Sequence, residues 1–126
     1  LVAVNFDSFH LEPIDEMQAL YGQEQFVFSV DRPEKEPRFE RAPNGAWRGK
    51  GGPQATRVSG AWLFNDLSPY TLASRRNTIY FNPWAAHSLP ESLKKMPCAI
   101  AENGTVSWHP GATLRDVLEL PEGWPE

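Results

Sequence analysis

Residues 60–87 read GAWLFNDLSPYTLASRRNTIYFNPWAAH, and they decide the fold. Six of the chain's fifteen aromatic residues fall here: Trp62, Phe64, Tyr70, Tyr80, Phe81 and Trp84. Polar Asn65, Asp66, Arg75, Arg76, Asn77 and Asn82 lie between them. The first part continues a strand that starts near Thr56, with Val58 and Trp62 on one parity and Leu63 on the other. NTIYFN, residues 77–82, is rich in β-forming side chains and reads as a second strand, which Pro83 stops or places at an edge. Between them Ser68-Pro69 has the chemistry of a short helix start, with serine as cap and proline at the first helical position.

Working towards the N-terminus, Pro43-Asn44-Gly45 interrupts two short polar-apolar runs. Asn-Gly favours the positive φ angles of a two-residue turn, so 38–42 and 46–50 are expected to form a hairpin. That register sets Arg41 opposite Arg48, an unfavourable like-charge pair unless the arginines splay or meet an anion. Gly49, Gly51 and Gly52 form a flexible break; with Lys50 they lack the Lys-Ser/Thr ending and following helix of a phosphate loop. Residues 31–37, DRPEKEP, read as an exposed loop and 25–30 as a strand. Pro13, the acids Asp15 and Glu16 and the closing Gly22 predict a helix with Ile14, Met17, Leu20 and Tyr21 on one face. Val2, Val4 and Phe6 alternate with Ala3, Asn5 and Asp7, the period of a first strand.

Towards the C-terminus, Ser88 and Glu91 match a capping box, which predicts a helix running to about Met96 before Pro97. Asn103-Gly104 marks a second hairpin, 98–102 with 105–109. Thr113 and Asp116 suggest a capped helix over 114–120, and Trp124 is an anchor in an otherwise irregular tail. The expected fold is therefore α+β: one small domain, 1–126, with a mainly antiparallel sheet, two Asn-Gly hairpins and three or four short helices.

The composition suits this. With 126 residues, 40% hydrophobic and 22% charged, the chain can bury one core. Twelve prolines and nine glycines cut it into short pieces and oppose a long-helix bundle. A formal net charge of -4 disfavours nucleic acid as a partner. A single cysteine excludes an internal disulfide and a cysteine-rich zinc site, and suits a reducing compartment such as the cytoplasm. No apolar run is long enough to span a membrane. The start, LVAVNFDSF, lacks the basic and apolar regions of a signal peptide.

The candidate chemistry is sparse. His10, His87 and His109 stand at no metal-ligand spacing, so no metal or cofactor is expected. The second hairpin would set Cys98 opposite His109, a thiol beside an imidazole, but cysteine is also a common inert core residue. Ser68 with Asp66 lacks a Gly-x-Ser-x-Gly elbow and is better read as a cap. The cluster with most chemical content joins arginine to rings: guanidinium can hold an anion while aromatics stack on a planar group.

These residues predict a small non-enzymatic binding or interaction domain. Its expected site is an aromatic cleft of Trp62, Tyr70, Tyr80 and Trp84 with Arg76 as polar determinant, open to a small or planar ligand or a protein partner. A homodimer through an exposed strand edge or aromatic patch fits the same composition. The alternative is a small metal-independent hydrolase or ribonuclease using Arg75 or Arg76 with His87 or His109. A further alternative is an immunity or antitoxin-like protein whose acidic balance, including Glu34 and Glu36, meets a basic partner.

Overall fold

Strand β1 (Val2–Phe6) lies at one edge of a five-stranded sheet ordered β1-β6-β7-β8-β9. The other members are β6 (Gly60–Asn65), β7 (Asn77–Phe81), β8 (Cys98–Glu102) and β9 (Thr105–His109). The computed structural model describes residues 1–6, 12–27, 30–31, 38–65, 67–71, 76–102 and 105–124. The chain divides into two compact units, Leu1–His10 with Thr56–Glu126, and Leu11–Ala55.

The first unit holds the large sheet. It is mixed, a departure from the mainly antiparallel sheet expected. β6 with β7 and β8 with β9 are antiparallel, whereas β1 with β6 and β7 with β8 are parallel. Parallel neighbours need long crossovers, and both exist. The whole second unit separates β1 from β6, and residues 82–97 separate β7 from β8. Pairing direction is set by these returns, which no local pattern encodes.

Both faces of the sheet are buried: Ala61, Leu63, Thr78, Tyr80 and Ala99 on one, and a larger apolar cluster on the other. Phe64, Ile79, Leu89, Met96, Cys98 and Leu114 are buried together, with Trp62, Leu67, Phe81, Leu93 and Ile100 packed against them. Burying side chains of this size contributes about 1.5–3 kcal/mol each. Gly60 is needed where β6 passes under Leu89: a Cβ there would lie 2.6 Å from the Tyr80 carbonyl oxygen and 2.5 Å from Leu89 Cδ1.

Two α-helices are present among the described residues, fewer than the three or four expected. α1 (Pro13–Tyr21) belongs to the second unit and α2 (Leu114–Val117) to the first. The helix expected before Met96 is a 3-10 segment, Glu91–Lys95. Pro90 is extended (φ -57°, ψ 141°) and Met96 precedes Pro97, so prolines confine the segment from both sides. Thr113 caps α2 as expected, its Oγ1 accepting from the Asp116 amide at 3.3 Å. The helix stops early because Glu119 takes a left-handed φ of 52°. The second hairpin has its expected register, Cys98 opposite His109 and Glu102 opposite Thr105. Its turn, 103–104, lies outside the described residues.

In the second unit, β2 (Glu24–Val27) pairs antiparallel with β3 (Arg38–Arg41), and β4 (Arg48–Gly49) with β5 (Gly52–Pro53). The hairpin expected across Asn44-Gly45 does not form. That corner instead closes the C-terminal end of α1. The Ala46 and Trp47 amides donate to the Ala19 and Leu20 carbonyls at 2.7 and 3.1 Å. Asn44 Oδ1 accepts from the Gln23 amide at 2.9 Å. Gly45 lies so close to the Leu20–Gly22 backbone that a Cβ would not fit. Its glycine therefore serves close approach, not a hairpin turn. Arg41 and Arg48 are consequently not opposed: Arg41 Nη1 donates to the Gly22 carbonyl at 3.1 Å and pairs with Glu24 at 3.8 Å. Of the predicted helix face, Met17 and Tyr21 are buried and Ile14 is exposed. Tyr21 meets Trp47 edge to face, ring centroids 5.3 Å apart.

Candidate functional site

The register of β6 with β7 fixes where the expected cleft residues point. Trp62 is opposite Ile79, and Ala61 is opposite Tyr80. Directly opposed residues share a face and successive residues alternate, so Trp62 and Tyr80 lie on opposite faces of the sheet. The two rings do not wall one cleft. Trp62 is half-buried on the face of the larger cluster; its ring packs on Phe64 at 4.8 Å and its indole N–H donates to Asn77 Oδ1 at 3.0 Å. Tyr80 is 0% exposed.

Trp84 is half-buried in the loop after β7. Asn82 organises that loop: Oδ1 accepts from the Trp84 amide at 3.0 Å, and Nδ2 donates to the Val58 carbonyl at 2.8 Å. The Ala86 amide bonds the Thr56 carbonyl at 2.8 Å, and Ser59 Oγ donates to the His87 carbonyl at 2.6 Å. Arg76, at the entrance of β7, is exposed.

Tyr70 differs from the others. It is 78% exposed, yet the residues on either side of it are hydrogen-bonded from three directions. Within the turn, the Thr71 amide donates to the Ser68 carbonyl at 3.1 Å, and the Ser68 amide donates to Thr71 Oγ1 at 2.9 Å. Pro69 occupies the position where a fixed φ favours such a turn. From β1, the Asn5 side chain grips Leu67 as a two-pronged fork. Its Nδ2 donates to the Leu67 carbonyl at 3.1 Å and its Oδ1 accepts from the Leu67 amide at 3.0 Å. From the C-terminal segment, the Trp124 indole N–H donates to the Pro69 carbonyl at 3.1 Å. The helix start read at Ser68-Pro69 is thus a turn through Thr71; residues 72–75, including Arg75, lie outside the described residues.

Of the groups considered for catalysis, Ser68 belongs to this turn, bonded to Thr71. Cys98 is 0% exposed, and burial pushes its thiol up, only partly opposed by the charge of Lys94. A raised thiol is a poor nucleophile at neutral pH. Its strand partner His109 is exposed, as is His87. His10, Glu34, Glu36 and Asp66 lie outside the described residues. Among the described residues no three His, Cys, Asp or Glu side chains are grouped to hold a metal ion. An open hollow beside α2 is lined by Arg115, Asp116, Glu119, Leu120 and Glu122, none of them among the five cleft residues. No helix among the described residues is long and apolar enough to cross a membrane.

The sequence marked Tyr70 as a site residue for its ring alone. Asn5 and Trp124, which bond the neighbouring Leu67 and Pro69, carry no local signal for that role, because each acts across more than fifty residues of chain. Comparison with protein-family models, with curated proteins and with solved structures finds no match to this chain.

Proposed function

We propose that this protein is a binding domain that engages a protein partner through the turn bearing Tyr70. The observation that carries the reading is the combination of an open ring and hydrogen-bonded neighbours. Tyr70 is 78% exposed on a turn tied by Asn5, Thr71 and Trp124. An aromatic side chain in this setting offers a large apolar surface and a hydroxyl, with little backbone entropy left to lose on binding. Tyrosine is among the residues that most often anchor protein interfaces. The net charge of -4 favours a partner with a basic surface. The lone buried Cys98 suits a reducing setting, and we place the protein in the cytoplasm on that basis.

A photo-crosslinking amino acid placed at position 70 tests this in cells. The reading requires a discrete covalent adduct with another protein, absent when the same group replaces exposed Lys95. No adduct at position 70, or the same adducts at both positions, contradicts it.

A further inference from the structure

Strand β1 is an edge of the five-stranded sheet, paired among the described residues with β6 alone. Val2 and Val4 are 47% and 36% exposed, and Leu1, Ala3 and Asn5 are exposed as well. Among the described residues, no backbone hydrogen bond links Val2–Phe6 to anything but its β6 ladder. Such a row of alternating N–H and C=O groups is a template for a second extended chain. Sheet edges of this kind are commonly blunted by lysine, proline or an inward charge. Residues 1–6, LVAVNF, contain none of these. The opposite edge strand, β9, ends in His109 and is followed by Pro110.

The strand is also complementary to itself. Antiparallel pairing of two copies about Ala3 sets Ala3 against Ala3, and Val2 against Val4 in both directions. Val2 and Val4 share a face, the one carrying Ala61 and Leu63. A two-fold axis normal to the sheet keeps that face on one side in both copies, so two β-branched pairs form there. The small side chain at the axis lets the strands close without crowding, and no like charges meet. We infer that β1 is the seam of a homodimer, in which two copies pair antiparallel about Ala3 and their sheets become continuous.

Sedimentation velocity of the purified chain, with Ala3→Lys alongside, tests the seam. Ala3→Lys sets two ammonium groups directly opposite each other at the axis. The wild type is expected to run at twice its 14.2 kDa mass, and Ala3→Lys as a monomer with unchanged circular dichroism. Ala3→Cys provides a second reading that does not depend on the lysine variant folding. Its thiols are opposed at the axis and close to a disulfide-linked dimer on mild oxidation, whereas exposed Val117→Cys does not. A wild type that stays monomeric up to high micromolar concentration overturns the inference. So does an Ala3→Cys chain that links no faster than Val117→Cys. The inference is independent of the Tyr70 reading: Tyr70→Ala leaves the dimer intact.

Discussion

Tyr80 and Trp108 meet edge to face across Ala99, their ring centroids 6.0 Å apart and their planes at 73°. The three residues lie in one row of the sheet, because Tyr80 is opposite Ala99 and Ala99 is opposite Trp108. Rings two strands apart can touch only when the residue between them is small. Ala99 is fully buried, Tyr80 is fully buried, and Trp108 is 43% exposed at the rim. The pair thus joins the interior of the sheet to its β9 edge.

Ala99→Val tests that relationship. Valine has the higher strand propensity, so local preference alone favours the change. The added methyls enter the gap between the rings, and overpacking of this kind costs about 1–3 kcal/mol. Chemical denaturation of Ala99→Val is expected to show a loss in that range. Ala101→Val, on the same strand and face but less buried, changes stability by about 0.5 kcal/mol or less. Equal effects at the two positions would exclude the ring contact as the cause.

Asn5→Ala removes the fork on Leu67. Each hydrogen bond contributes about 0.5–1.5 kcal/mol when buried, and this pair is exposed, so the expected loss is about 1 kcal/mol in total. The more specific outcome is local. Hydrogen exchange at the Leu67 and Thr71 amides should accelerate in Asn5→Ala while amides of β8 keep their protection.

Cys98 makes stability depend on pH in a defined direction. Burial holds its thiol above the ordinary value of 9.0, so the native state keeps its proton where the unfolded chain has lost it. Stability is then fully present below the unfolded value and falls as pH rises through and above 9.0. Wild type should lose stability relative to Cys98→Ala as pH is raised beyond that point. At neutral pH the native thiol should resist alkylation until the protein is unfolded.

Much of the fold is legible locally. The alternation of Val2, Val4 and Phe6, the Pro13 start of α1, the Thr113 cap and the pairing of Cys98 with His109 all follow from short-range chemistry. Asn44-Gly45 carries an equally strong local signal and yet belongs to a different structure, because its glycine is used for contact with the end of α1. The two parallel pairings depend on crossovers, which leave no mark on the strands themselves. The site was less legible for a related reason. Which face Tyr80 takes depends on the register of β7 against β6, and a one-residue slip would put it beside Trp62. Residues 66–76 separate the two strands, too long a connection for a turn type to fix that register. The sequence offers Tyr70 through its side-chain chemistry, whereas the bonds on Leu67 and Pro69 beside it come from Asn5 and Trp124, distant in the chain.

The central claim is that Tyr70 anchors a protein partner. Its most direct test is the affinity of the protein captured at position 70 for purified wild type and for Tyr70→Ala. Loss of an anchoring ring is expected to weaken binding by about tenfold or more, equivalent to about 1.4 kcal/mol, with thermal stability unchanged. An affinity equal to that of the wild type would contradict the account.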